Sequence, residues 1–416
     1  MPNFSSHLIL IFIIFIDHVD STTHWEDIQS LKHFKNSIES NSVSPGSCLS
    51  TWDFTFDPCD SLNTEKFTCG IRCDVVLSNV SRITELTLDR AGYSGSLVLS
   101  SFPYLQTLDL TNNYFTGSIP GSVSKLTRLN RLILSTNSFS GSVPTDSLPN
   151  SLEELFLDNN NLVGPISPSL NNLQNLKRLE LQGNKLSGEF PELSQLSQLY
   201  FADVSNNFIS GKLPANLPAN IVELTIRNNS LQGNITENLL KSAIYLQVLD
   251  LSYNNLTGDL SPELFSHRSL QQLTLANNGF SSVQVPVDWG KYSELIAVDL
   301  SNNNIHGFLP GFMGWMPKLT ALNFENNKLS GMIPIQYALK AIGSDGVGPF
   351  ERLLLGGNYL FGLIPGPFLR LNSGSGVMIQ LGDNCLYECP ESYFFCRGGG
   401  VQKSLIECKS FSPVIP

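Results

Sequence analysis

The sequence predicts an open solenoid: a horseshoe of about thirteen short coils with a parallel β-sheet on the concave face, short 3-10 or irregular return segments, and a disulfide-stapled cap at each end. Two observations carry this. A unit shown most cleanly at Leu105 to Pro120, LQTLDLTNNYFTGSIP, returns with first positions at Leu105, Leu129, Leu152, Leu176, Leu199, Ile221, Leu246, Leu270, Leu295 and Leu319. The steps are 24, 23, 24, 23, 22, 25, 24, 25 and 24 residues, and a fixed period held that long marks a repeat architecture. The eight cysteines fall in two groups, Cys48, Cys59, Cys69 and Cys73, then Cys385, Cys389, Cys396 and Cys408. An even count confined to the ends reads as stapled caps in an oxidising compartment. Cys69-xxx-Cys73 and Cys385-xxx-Cys389 have possible metal-ligand spacing, but a secretory context favours disulfides.

Each slot of the unit LxxLxLxxNxLxGxIP has a physical task. The last two leucines of LxxLxL sit two apart and point to one face of a short strand, while their neighbours point to the other. Stacked coils therefore put leucines inside and the intervening residues on an exposed concave sheet. The asparagine (Asn113, Asn137, Asn160, Asn184, Asn207) falls where the chain leaves the strand, where its amide can bond backbone groups unpaired by the bend. Gly117, Gly141 and Gly164 allow backbone angles that larger side chains resist. Pro120 lacks an N–H and ends pairing on the return side. A single coil cannot bury its apolar face, so the units are stable only as a stack. Such a period and pattern are those of leucine-rich repeats.

The GxIP ending resembles one branch of that family, the plant-type extracellular repeat of receptor-like kinases, receptor-like proteins and polygalacturonase inhibitors. The repeats span about three quarters of the chain, and the caps extend the resemblance to nearly all of it. The segment TWDFTFDPCDSLNTEKFTCGIRCD is similar to the family's N-terminal cap, with Trp52, Asp57-Pro58-Cys59, Gly70-Ile71 and Cys73 in matching slots. The resemblance implies a Cys59–Cys73 bridge. Cys69 is extra to the commonest form of that motif and is paired here with Cys48; sequence alone allows three connectivities among four cysteines.

In chain order, residues 1–21 read as a signal peptide. The apolar run Leu8 to Ile16 is too short to span a bilayer and suits a signal core, with Val19 and Ser21 before the cleavage point. Residues 22–82 form the N-terminal cysteine-containing cap. It opens with an amphipathic helix from His24 to about Asn41, whose apolar residues Trp25, Ile28, Leu31, Phe34 and Ile38 recur at helical spacing and cover the open end of the first coil. The array runs over 83–384. Coil one, from Ile83, is a weak terminal repeat with Ala91 in the asparagine slot; coil six has Ala202 in a leucine slot. Coil nine has Ser282 where glycine is usual, so its return side should be irregular. Coil eleven starts at Leu319 and coil twelve at Phe350, 31 residues on. This excess is a short insertion near 338–349, expected as a surface loop. Residues 385–416 form the C-terminal cysteine-containing cap and tail. The tail, KSFSPVIP, carries no apolar run of spanning length, and no kinase signature is present.

Composition narrows function. Charged residues are 15% and the formal net charge is −11, which argues against nucleic acid or an anionic membrane as partner. No set of residues supports catalysis, and no cofactor is expected. His7, His18, His24, His33, His267 and His306 are scattered. Asp109, Asp203, Asp250 and Asp299 recur in one mid-strand slot. Paired acids are the currency of glycoside hydrolysis, but here the slot belongs to the repeat and the residues read as scaffold. Asn79, Asn228, Asn234 and Asn255 open glycosylation sequons.

The reading is a secreted, non-enzymatic binding scaffold of the apoplast or cell wall, or peripheral to the outer plasma membrane. Its ligand is a protein, peptide or glycan in signalling or defence, and a receptor-kinase ectodomain is a candidate partner. The alternative is an inhibitor of a cell-wall-degrading enzyme, similar to polygalacturonase inhibitors; the longer array and acidic charge weigh against it. Thirteen strands about 4.8 Å apart give a concave sheet roughly 60 Å long, suited to a macromolecule. Most of its outward slots hold Ser, Thr, Asn or Asp. Coils three to seven instead carry Arg131, Ile133, Phe156, Lys177, Arg178, Tyr200, Phe201 and Arg227, residue types that dominate binding hot spots. They are expected to form a locally basic strip able to steer an acidic partner.

Overall fold

The computed structural model describes residues 22–60, 66–67, 69–77, 80–343, 348–397 and 400–411; the expected signal peptide lies outside them. The thirteen repeats each contribute one strand, all parallel, to a single fifteen-stranded sheet, from Val80–Thr87 through Thr107–Asp109, Arg131–Ile133 and so on to Met378–Gln380; the cap adds Thr22–Thr23 and the antiparallel Ile71–Leu77. The register is uniform: Leu108 faces Leu132, Leu132 faces Leu155, and Leu155 faces Leu179. Leucines at these slots, with their partners two residues on (Leu110, Leu134, Leu157, Leu181), are fully buried. They make one continuous apolar core running the length of the stack.

Behind the concave strands, the return segments pair into a second, lateral set of parallel strands. This set is divided into a nine-stranded sheet (Ser94–Ser96 to Gly279–Val283) and a four-stranded sheet (His306–Phe308 to Cys385–Tyr387). The division comes after coil nine, the coil that lacks the usual glycine, and the last pair of the nine-stranded sheet shifts register between Gly258 and Asp259.

The asparagine slot ties each coil to the one before. Asn160 donates from Nδ2 to Leu134 O at 3.0 Å, Leu157 O at 3.1 Å and Asp158 O at 3.0 Å. Its Oδ1 accepts from Phe139 N at 2.9 Å. Asn327 repeats the set in coil eleven, donating to Leu300, Phe324 and Glu325 and accepting from Ile305 N. A buried side chain thus satisfies groups that neither strand nor turn can reach.

The N-terminal helix runs Trp25–Asn36, shorter than expected; Leu31 and Phe34, with Ile38 beyond its end, are buried as the spacing predicts, but the buried face is rotated away from Trp25. Asp27, Ser30, Leu31 and Phe34 are buried while Trp25 is exposed. The reason is ionic. Asp27 takes Arg82 Nε at 3.0 Å and Nη2 at 2.8 Å, and accepts from Ile83 N at 2.9 Å. A charged residue therefore sits where the apolar pattern had put the solvent side. Disulfides join Cys48 to Cys69 and Cys59 to Cys73 in this cap, and Cys385 to Cys408 and Cys389 to Cys396 at the other end.

The return segment before coil twelve is a helix, Ile335–Ala341, which overlaps the start of the insertion expected near 338–349; beyond it Gly343 and Pro349 are exposed, and residues 344–347 lie outside the described residues. Tyr337, Ala338, Lys340 and Ala341 are buried by it, and Lys340 donates to Met316 O at 2.8 Å. Among the described residues no helix is long and apolar enough to cross a membrane.

Candidate functional site

Cross-strand register turns the outward slots of the concave sheet into rows. One row runs Arg131, Glu154, Arg178, Phe201, Glu223, Val248; the next runs Ile133, Phe156, Glu180, Asp203, Thr225, Asp250. The rows meet at Arg178. Its guanidinium lies 3.8 Å from the Phe201 ring centroid and 5.7 Å from that of Phe156, and it bonds Glu180 at 2.6 Å. Both rings are half-buried and Tyr200, beside them, is exposed. Cation–π stacking and an ion pair hold the flat guanidinium in one orientation.

The remaining expected residues are less concentrated. Arg131 is exposed and bonds Glu154 at 2.7 Å, Ile133 is half-buried, and Lys177 bonds Glu153 at 2.7 Å. Arg227 stands apart at the strand ends, 4.7 Å from the ring of Tyr253, a residue the sequence reading did not select because it lies in the turn after the next strand.

The expected basic strip is absent. Arg131, Lys177 and Arg178 are each paired within the face, and Glu153, Glu154, Glu180, Asp203 and Glu223 share it with them. Cations were read along each strand, whereas their partners come mostly from the adjoining coil. Carboxylates in fact crowd the middle of the sheet. Burial raises the Asp203 carboxyl above its usual range, with Glu180 and Asp250 adding to the effect against the Ser205 N–H. Burial and the Asp203 charge raise Glu223 likewise, opposed by Arg178.

The recurrent aspartates have backbone partners. Asp109, Asp203, Asp250 and Asp299 accept from the N–H two residues on, at Thr111, Ser205, Ser252 and Ser301, over 2.8–2.9 Å. They brace the exit of the strand. Among the described residues no group of His, Cys, Asp and Glu is arranged to hold a metal ion.

Further along, the concave sheet is bare. Ala297 and Ala321 leave a shallow depression of about 190 Å³, bordered by Gln272, Thr274, Asp299, Asn323 and Arg352. The sequons divide between surfaces. Asn234 and Asn255 are exposed on or beside the nine-stranded lateral sheet. Asn228 is exposed in a left-handed turn, where its amide donates to Asn206 Oδ1 at 2.9 Å; Asn79 lies outside the described residues.

Comparison with known proteins agrees with this geometry. The Leucine Rich Repeat family profile matches residues 104–126, 151–173, 175–196 and 245–267. Receptor-like protein 41 of Arabidopsis thaliana is 31% identical over 145 residues, a match spanning 34% of this chain and 16% of that one. Among solved structures, a TDR receptor superposes with a TM-score of 0.62 at 27% identity, covering 70% of this chain and 50% of its own. A plant ice-binding protein superposes at 0.54 and 20% identity, over 91% of this chain and 97% of its own, a likeness of fold alone.

Proposed function

The chain is a leucine-rich repeat protein of the plant extracellular type, and we propose that it is a secreted, non-enzymatic scaffold that binds a protein or extended peptide through the concave face of coils three to seven. The observation that carries this is the Arg178 cluster. Phe156, Arg178, Tyr200 and Phe201 gather at the crossing of two rows on a concave sheet whose other outward residues are mostly polar or charged. Rigid aromatic and guanidinium groups with part of their surface still open are the usual anchors of an interface. Because the cations are paired, recognition depends on directional contacts and ring surface more than on long-range attraction. Cleavage of residues 1–21 would release the chain to the cell surface or wall, with glycans at Asn234 and Asn255 on the lateral side.

The test is a binding screen of the secreted protein against plant receptor-kinase ectodomains and cell-wall hydrolases, followed by titration of the tightest binder. Phe156→Ala and Arg178→Glu should each weaken that binding by more than about 1 kcal/mol while the unfolding midpoint stays in place. Parent-like binding by both variants, with loss on changing coils nine to twelve, would move the site elsewhere. Inhibition of a polygalacturonase as the main activity would replace the reading altogether.

A further inference from the structure

The register that builds the concave sheet also sorts its charges. The row from Thr87 to Gln380 carries five carboxylates, Asp109, Glu180, Asp203, Asp250 and Asp299, and no lysine or arginine. In the adjoining row Arg131, Arg178 and Arg352 only match the charges of Glu85, Glu154 and Glu223. Arg352 stands five strands beyond Glu223. The face proposed for binding is therefore short of cations in its middle.

The shortage is sharpest beside Phe201. By register this residue stands between Arg178 on one neighbouring strand and Glu223 on the other, with Asp203 in its own strand and Asp250 two strands on. The two sides differ. Arg178 lies 3.8 Å from the ring centroid and is neutralised by Glu180 at 2.6 Å. No such group stands on the other side. Among the described residues the Glu223 carboxylate makes no hydrogen bond or ion pair, and the carboxylates of Asp203 and Asp250 bond only Ser205 and Ser252. All three are half-buried. Burial first, then neighbouring negative charge, raises the pKa of Asp203 and Glu223, and a cation placed among them would relieve that repulsion.

We infer that the partner of the concave face is cationic: an extended polypeptide segment that sets an arginine or lysine side chain over Glu223, Asp203 and Asp250, beside the rings of Phe201 and Tyr200. This rests on the concave-face reading and names the chemistry of its partner. Charge complementarity is the first reason. A cation seated there meets three carboxylates that lack one, whereas an acidic segment would add to a repulsion already present. The second reason is that the face already seats one guanidinium in this manner. Arg178 is held on Phe201 by ring and carboxylate together, and the same two groups are on offer across the ring, with Tyr200 exposed next to them. The contact is local and directional. It also reverses the acidic partner that the linear order of Arg131, Lys177 and Arg178 suggested, because those three are already paired with Glu154, Glu153 and Glu180.

The experiment titrates the secreted chain with synthetic peptides of about twelve residues, long enough to span roughly 40 Å when extended. They alternate serine with arginine or phenylalanine, and the companion peptides carry glutamate or glutamine in place of arginine. The arginine peptide should bind at least about tenfold more tightly than the glutamate peptide, with the glutamine peptide between them. Glu223→Gln with Asp250→Asn should weaken the arginine peptide at least about fivefold without lowering the unfolding midpoint. Glu189→Gln with Glu192→Gln removes the same charge from exposed positions off the concave sheet and should leave binding unaltered. An arginine peptide that binds no better than the glutamate one overturns the inference, as does an equal loss from both neutralised pairs. The partner found in the binding screen separates this inference from the reading beneath it. If Phe156→Ala weakens that partner and Glu223→Gln with Asp250→Asn does not, the concave face stands and the cationic segment falls. Parent-like binding by all of these concave variants overturns both.

Discussion

In coils three to seven the concave sheet carries a cluster of large side chains, exposed at Arg131 and Tyr200 and half-buried at Phe156, Arg178 and Phe201. In coils ten to thirteen the lateral sheet carries Phe308, Met332, Leu363 and Tyr387, while the concave slots shrink to Ala297 and Ala321 in coils ten and eleven before Arg352 and Met378 fill them again. The leucine core and the asparagine bonds are the same in both stretches. A stack whose stability comes from nearest-neighbour burial leaves every outward slot free. Two surfaces can therefore be specified independently, without either disturbing the scaffold that holds it.

The largest test of that separation is in the scaffold. Asn160→Ala and Asn327→Ala each remove three donated bonds and one accepted bond from buried backbone groups. With each orphaned group costing about 1–3 kcal/mol before relaxation or hydration, both should lose about 3 kcal/mol or more in denaturant unfolding. Equal losses would sharpen the comparison; a neutral change at one would show that the two stretches are held differently.

A smaller effect sits in the C-terminal stretch. Lys340 is buried, lies 5.2 Å from the Phe350 ring centroid, and has its pKa pulled by burial from 10.5 to about 8. Between those values the unfolded chain binds more protons than the folded one, so stability contributed by this group rises with pH; below about 8 the cost of the buried charge is present in full. Lys340→Met should abolish that rise and stabilise the protein at neutral pH by on the order of 1–2 kcal/mol. Urea titrations at neutral and alkaline pH would read both. A variant whose stability follows the parent's pH curve would rule out Lys340 as its source.

The smallest change is expected on the N-terminal concave face. Asp203 has a raised pKa, so its folded form holds its proton more firmly than the unfolded chain does, and stability falls as pH rises through the window just above the ordinary carboxylate value. Asp203→Asn keeps an acceptor for the Ser205 N–H and should stabilise the protein slightly at pH 7, by less than about 1 kcal/mol, read as a small rise in melting temperature. The gain should vanish in acid. A gain that persists at low pH would point to packing instead of charge.

How far the chain could be read depended on which interactions repeat. The leucine, asparagine and glycine slots act between identical neighbours, so a period alone places them. The Arg178 cluster was half legible: the slots located Phe156, Arg178 and Phe201, but Glu180 and the adjoining-strand carboxylates look like ordinary solvated residues in a linear sequence. The row Phe308, Met332, Leu363 was in plain view within GFLP, GMIP and GLIP, yet no periodicity argument says whether that slot faces core or solvent.

The amino-acid sequence by itself determined that the chain stacks into an open coil, where each strand begins, and which residues line its interior, because burial of a repeated leucine set has one solution. Tertiary structure decided the rest. It turned the cap helix so that Asp27 meets Arg82, paired the concave cations with carboxylates of their own or an adjoining strand, buried Lys340 within the helix before coil twelve, and left four large apolar side chains outside. Each of those outcomes rests on a pair of residues brought together across coils or caps, where charge and shape must match a specific partner rather than a recurring one.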